Sequence, residues 1–308
     1  MRLLVLSRQR ILYSTRRFRE AAVARGHEVR VLDPFACSLA IERRPSLYAA
    51  GRKVAGWDCS IPRVGTRGSA HATAVVAQLE TMGVAVVNRA EAILRARDKL
   101  RSLQCLSAAG LPLPRTVAIS GPAELDRVLD RVGGPPVVLK LFQGTQGVGV
   151  ILAETRSAAE ATLETLWALG ESVLVQEFVV ESKGRDVRVL VVGGEVVAAM
   201  RRTAREGEWR SNLHRGGGAA AVDLEPAYGR TAVEAVRAVG LGVAGVDLLE
   251  TRDGPRVMEV NASPGFEGLE RATGVDIADA VVAYAESLAG GDRDRFPEAI
   301  NPPGPRSV

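Results

Sequence analysis

The chain has 308 residues, 46% hydrophobic and 25% charged, a mix that supplies a sizeable core and excludes a disordered or collagen-like protein. Aromatics are only 4%, which argues against a stacking platform for single-stranded nucleic acid, and no apolar run approaches the roughly 20 residues of a membrane helix. A net charge of +4 with a pI near 9.2 is a mild basic excess, compatible with anionic partners or with a merely positive surface.

The opening residues 3–6 are too short for a signal-peptide core and predict a first strand. A helix over 15–25 that stops at Gly26, a strand over 27–33, a short strand over 58–64, a helix over 70–82 and a strand over 84–88 follow. Such alternation implies a parallel sheet covered by helices, so an N-terminal α/β domain is expected over 1–92. A second unit, 93–178, should hold a helix at 97–109, a strand at 116–119, a helix at 123–132 and a strand at 136–142. A glycine loop at 144–149, a strand through residue 152, a helix at 158–169 and a strand at 172–178 complete it. The third unit, 179–290, opens with two β-rich runs joined by Gly193-Gly194, a hairpin signal. A helix at 228–239, strands at 243–249 and 256–260 and a helix at 277–288 follow, and residues 291–308 read as a loose tail.

Cys37, Cys59 and Cys105 are odd in number and widely spaced, which suits a reducing cytoplasm and fits no zinc site. Only Lys53, Lys99, Lys140 and Lys183 are lysine among 40 basic residues, so each retained lysine is a candidate for a role needing a compact ammonium. Codon bias toward arginine accounts for the imbalance equally well.

Three constellations carry chemistry. Lys140 ends a strand just before Gly144-Thr-Gln-Gly-Val-Gly149, where glycines let backbone N–H groups turn toward an anion. It is neither a P-loop nor a dinucleotide fingerprint, and a plain glycine hairpin fits as well. The second is Asp247 with Met258-Glu-Val-Asn-Ala-Ser-Pro264: Glu259 and Asn261, two apart, project from one strand face that Asp247 on the neighbouring strand can reach. Two carboxylates and an amide suit Mg²⁺ shared with phosphates. Charges within apolar strands must be metal-bound or paired, so a salt bridge to one of the many arginines is the other account. The third, Arg201-Arg-Thr203 with Arg210-Ser-Asn-Leu-His-Arg-Gly-Gly-Gly218, gathers guanidiniums that bind carboxylate or phosphate bidentately. His214, inside it, reads as a loop hydrogen-bonder more readily than as a base.

In this order the pieces resemble an ATP-grasp ligase, and more narrowly the RimK family. The resemblance rests on Arg95-Ala-Arg-Asp-Lys-Leu-Arg-Ser102, Gly144-Thr-Gln-Gly-Val-Gly-Val150, Leu152-Ala-Glu-Thr155, Val175-Gln-Glu-Phe178, Arg210-Ser-Asn-Leu-His-Arg-Gly-Gly217, Val243-Ala-Gly-Val-Asp247 and Met258-Glu-Val-Asn-Ala-Ser-Pro-Gly265. Leu6-Ser-Arg8, Leu12-Tyr-Ser14, Gly51-Arg-Lys53 and Ile61-Pro-Arg63 extend it to the N-terminus, so it covers residues 1 to about 288.

The resemblance implies an α/β chain with an ATP-grasp fold behind an N-terminal α/β pre-ATP-grasp domain. It implies ATP with Mg²⁺, for which Mn²⁺ substitutes. ATP would meet Lys99, Lys140, Gly144, Gln146, Gly147, Gln176, Glu177, Phe178, Val179, Asp186, Arg210, Ser211 and Asn212. Asp247, Glu259 and Asn261 would hold the metal, and Arg188 and Arg202, with Lys140, would serve the chemistry. The implied reaction adds L-glutamate to the C-terminal carboxylate of the small-subunit ribosomal protein numbered six, through an acyl phosphate. A cytoplasmic homo-oligomer, a tetramer in the family, is expected, with no membrane or direct nucleic-acid contact. Rival readings are a poly-α-glutamate synthase, a carrier-protein ligase of the same fold, and a nucleotide-binding regulator without catalysis.

Overall fold

The computed structural model describes residues 1–65, 69–122, 125–142, 149–211 and 216–291. Strand β1 (Arg2–Leu6) buries all of Leu3 to Leu6, an apolar run that suits a strand covered on both faces, and α1 (Tyr13–Ala24) leads from it to β2 (Glu28–Leu32). The next residues make a small antiparallel sheet of β3 (Cys37–Ala40), β4 (Ser46–Ala49) and β5 (Arg52–Lys53), which the sequence reading left unassigned. Then come β6 (Cys59–Pro62), α2 (Ser69–Thr81) and β7 (Ala85–Val86). The main sheet has the order β2-β1-β6-β7, all parallel, as the alternation predicts.

Two helices follow, α3 (Ala90–Arg97) and α4 (Lys99–Ala108), where one was expected. Asp98 separates them and caps α4, its carboxylate accepting from the Arg101 N–H at 3.0 Å. The antiparallel sheet β10-β9-β11-β8 comes next, from β8 (Thr116–Ile119), β9 (Val137–Leu141), β10 (Val150–Ala153) and β11 (Val173–Glu177). Helices α5 (Leu125–Val132) and α6 (Arg156–Ala168) close a core over the face bearing Val137, Leu139, Val173 and Val175.

The last sheet runs β14-β13-β12-β15-β16. Its strands are β12 (Arg185–Val192), β13 (Glu195–Thr203), β14 (Gly218–Ala221), β15 (Val243–Thr251) and β16 (Gly254–Asn261), with α7 (Pro226–Val239), α8 (Glu267–Thr273) and α9 (Ile277–Ala289). The β12–β13 turn carries Gly193 and Gly194 at φ +59° and +86°, and a Cβ on Gly193 would lie 2.9 Å from the Tyr284 ring.

Alternation in β12 sends Val187, Val189 and Val191 into one core and Leu190 and Val192 into another. The second face changes character along its length: Leu190, Val192, Met200 and Val243 are apolar and covered, whereas Asp186, Arg188, Arg202 and Asp247 further along are charged. Both cores also contain residues of the N-terminal sheet, Leu4 and Leu6 in the first, Leu3 and Val5 in the second. The core around α5 and α6 shares no residue with them. Asn88 fastens the joined block: its side-chain Nδ2 donates to Val243 O at 2.8 Å and Ala262 O at 2.9 Å, and its Oδ1 accepts from the Gly242 and Val243 N–H groups, both at 2.9 Å.

Candidate active site

Register brings the charged residues into one patch. Asp186 on β12 lies opposite Arg202 on β13, Arg188 opposite Asp247 on β15, and Asp247 opposite Glu259 on β16. Beside Asp247 the β15–β16 register shifts: Leu248 faces Val257, leaving Met258 as an extra residue. That bulge lets Val257 and Val260, three apart, both enter the core while Glu259 and Asn261 keep the other face.

Opposite charges tie the patch together. Arg188 holds Asp247 with Nε and Nη2, both at 2.6 Å, and Arg202 Nη2 reaches the same carboxylate at 2.9 Å. Arg202 also donates to both oxygens of Asp186, at 2.6 and 2.8 Å, and the Ser211 hydroxyl donates to Asp186. Asp186, Arg202 and Asp247 are buried. Burial disfavours the Asp247 carboxylate, but Arg188 and Arg202 outweigh it and hold the group down at about 2. Asp186, with one guanidinium and the neighbouring Asp247 charge, is pushed the other way, burial being the main cause. The salt-bridge account of Asp247 is therefore present in the structure. Each carboxylate oxygen offers two lone-pair directions, so these contacts leave Asp247 capacity to accept more.

The facing wall is the side of the β9–β11 pair turned away from α5 and α6, where the buried Val138, Leu174 and Gln176 share one face with Lys140. Lys140 is pushed down to about 8, chiefly by desolvation, with the Lys99 charge adding and the Glu259 charge opposing. Lys99, at the start of α4, is lowered by burial and feels Glu259 too. Two lysines from different elements thus both feel the charge of one carboxylate of the patch.

The β11 end, where the resemblance implies contacts with ATP, has its own ion pairs. The Glu177 carboxylate is clasped by Arg115 Nε and N–H at 3.1 Å and by Arg256 Nη1 at 3.2 Å, and these residues border a cavity of about 420 Å³ with Pro112 and Thr251. Burial raises its pKa, but Arg115 and Arg256 outweigh that and leave it below the usual range. Gln176 donates to the Thr116 hydroxyl at 2.8 Å, Val179 is buried, and Phe178 meets Trp209 edge-on at 6.1 Å between ring centres. Arg210 lies over the Trp209 ring at 4.9 Å. Gly144, Gln146, Gly147 and Asn212 lie outside the described residues, as does His214.

For a magnesium ion the test is chemical. The donor set on this face is all oxygen: the Asp247 and Glu259 carboxylates and the Asn261 amide oxygen. Among the described residues no three His, Cys, Asp or Glu side chains cluster as a ligand set, so the third donor has to be the amide. The residues fit a hard cation shared with phosphate.

A model of the RimK-like ATP-grasp domain matches residues 96–285, and one of the RimK pre-ATP-grasp domain matches 1–93. The chain belongs to the RimK family of ATP-grasp ligases. This RimK-family ligase is 52% identical over 290 residues, 94% of the chain and 96% of the relative, to a probable alpha-L-glutamate ligase of Thioalkalivibrio sulfidiphilus. It is 49% identical over 296 residues to a protein of the same name from Aliivibrio fischeri, covering 96% and 98% of the two. In shape it is similar to a RimK domain ATP-grasp protein from Sphaerobacter thermophilus, at 28% identity and TM-score 0.72 over 92% of this chain and 99% of that one. The ATP-grasp ligase PsnB, solved with a precursor variant, Mg and ADP, matches at 25% identity and TM-score 0.72, covering 93% and 98%. No helix among the described residues is long and apolar enough to cross a membrane.

Signals for several site residues were weak in the sequence. Asn88 reads there only as the polar end of an apolar run, and Ser211 gives no hint of its bond to Asp186. Arg115 and Arg256 look like ordinary surface cations until the fold sets both on Glu177.

Proposed function

We propose that this ligase uses ATP to join the α-amine of L-glutamate to a carboxylate of a peptide or protein acceptor, releasing ADP and phosphate. The observation that carries this reading is the arginine–aspartate network of Asp186, Arg188, Arg202 and Asp247, on the same sheet face as Glu259, whose charge Lys99 and Lys140 both feel. The names of the relatives supply glutamate.

A carboxylate is a poor electrophile, so its oxygen first attacks the γ-phosphorus of ATP and ADP leaves, giving an acyl phosphate. Lys99 and Lys140 donate to phosphate oxygens that would otherwise repel the incoming carboxylate. Arg188 and Arg202 spend Nε and Nη2 on the aspartates, so Nη1 of each is the nitrogen that clamps the transferring phosphoryl group. Asp247, Glu259 and Asn261 would hold Mg²⁺, or Mn²⁺ in its place, which when bound offsets phosphate charge. The glutamate nitrogen then attacks the acyl carbon, the C–O bond to phosphate breaks and the amine proton leaves to solvent. No side-chain nucleophile takes part. Gln176, Phe178, Val179, Asp186, Arg210 and Ser211 complete the nucleotide site in this reading, with Gly144, Gln146, Gly147 and Asn212 from outside the described residues. Glu177 contributes its backbone, since the arginines hold its carboxylate.

The acceptor we assign is the C-terminus of the small-subunit ribosomal protein numbered six, met by a cytoplasmic homo-oligomer. Intact mass spectrometry of that protein, incubated with enzyme, MgATP and L-glutamate, should show a ladder of glutamyl increments. ADP release with an unchanged acceptor would keep the ligase and discard this acceptor. In the same assay Lys140→Ala or Glu259→Ala should abolish ADP formation with the far-ultraviolet spectrum retained. Turnover in either variant would overturn the site.

A further inference from the structure

Aromatic side chains are scarce in this chain, 4% of it with three tryptophans, yet one tryptophan meets a phenylalanine from the other wall of the cleft. Phe178 follows β11 and continues the alternation of Leu174 and Gln176, the face shared with Lys140. Trp209 lies between β13 and β14, on the side of the arginine–aspartate network. The two rings stand 6.1 Å apart at 78°, the edge-to-face geometry that aromatic quadrupoles favour.

Trp209 is itself fixed through its backbone. Its carbonyl accepts from the Gly184 N–H at 3.2 Å, and the Gly184 carbonyl accepts from the Ala204 N–H at 2.6 Å. Gly184 sits at φ +71°, and a Cβ there would come within 3.3 Å of Glu208 O, so the close approach of this segment calls for glycine. Two residues further along both stretches, the Ser211 hydroxyl donates to Asp186. Between Trp209 and Ser211 stands Arg210, whose guanidinium lies over the Trp209 ring at 4.9 Å. An indole face attracts a planar cation and holds it in one orientation, where solvent would leave it to sweep many rotamers.

We propose that Trp209 is a positioning residue of the nucleotide site: one indole holds both Phe178 and the Arg210 guanidinium in the geometry that ATP meets. Resting on the ligase reading, this gives Trp209 no contact with the reacting atoms. It acts through Phe178 and Arg210, whose places it sets before ATP binds, so that less side-chain freedom is lost on binding. Losing both ring contacts should weaken ATP about tenfold.

The test is steady-state ADP release by the full chain carrying Trp209→Leu or Trp209→Phe, with calorimetric titration of ADP as a reading independent of turnover. Trp209→Met, made alongside, stands in if the leucine variant fails to fold. Leucine keeps an apolar side chain without a ring, and should raise KM for ATP and Kd for ADP about tenfold while KM for glutamate stays within about twofold. Phenylalanine keeps a ring face and an edge, and should return both to within about threefold of wild type. In an Arg210→Ala background the leucine change should cost less than in wild type, because one of the two partners of the ring is already gone. An unchanged KM for ATP in the leucine variant, KM for glutamate rising in step, or a phenylalanine variant as impaired as the leucine one would overturn the assignment and leave the ligase standing. Wild-type enzyme that binds ADP but shows no glutamate-dependent turnover would sink the ligase reading, and the ADP titrations would still decide for or against Trp209.

Discussion

The two walls of the cleft handle buried charge in opposite ways. On the five-stranded sheet, Asp186, Arg188, Arg202 and Asp247 satisfy one another before any substrate arrives. On the sheet of β8 to β11 the half-buried Lys140 is desolvated with Lys99 nearby, and the Glu259 charge only partly compensates them. The first wall is a stable scaffold that fixes where guanidiniums stand. The second stores unfavourable desolvation that an anion relieves, which is what the proposed nucleotide role asks of it.

Breaking the paired wall gives the largest expected effect. Asp247→Ala leaves Arg188 and Arg202 without their shared carboxylate and should cost about 3–5 kcal/mol of unfolding free energy in a denaturant titration. With its pKa lowered from 3.8 to about 2, Asp247 contributes stability above about pH 4 that is lost as pH falls through about 2. The Asp247→Ala deficit should therefore shrink across that window in acid titrations.

Lys140→Met sharpens the contrast with the opposite sign. Removing a desolvated ammonium should stabilise the nucleotide-free protein by about 2 kcal/mol at pH 7 while ending ADP release. Because Lys140 lies near 8 in the fold against 10.5 ordinarily, the unfolded chain holds the extra proton between these values. Wild-type stability should rise with pH across that range, and the Lys140→Met advantage should vanish by its upper end. A constant advantage would show that desolvation is not its cause.

The smallest effect belongs to the rim. Glu177→Gln weakens the half-exposed clasp with Arg115 and Arg256 and should cost about 1 kcal/mol, with a small rise in KM for ATP. A loss as large as that of Asp247→Ala would erase the distinction between rim and wall.

Much of this was legible in the sequence. The parallel N-terminal sheet and the β15–β16 hairpin followed from hydrophobic periodicity and turn residues, and the shared face of Glu259 and Asn261 from a spacing of two. The β3–β5 sheet escaped because its strands run two to four residues, too short to show a period. Helix α3 escaped because its eight residues are about two turns, too few to show a helical period beside the expected helix at 97–109. Of the Asp186–Arg202–Asp247–Arg188 network only a salt bridge from Asp247 to an unspecified arginine was legible: four charges on three strands give no local pattern until register aligns them.

The separate core of the 117–175 segment has a consequence for how such enzymes diversify. A body whose hydrophobic core is its own among the described residues can change inside without repacking the other two cores. In the proposed reading Lys140 brings one part of nucleotide binding from this body, whereas Arg188, Arg202 and Asp247 belong to the block sewn together by Asn88. Substrate range can then drift in the block while the energy-coupling part is inherited unchanged.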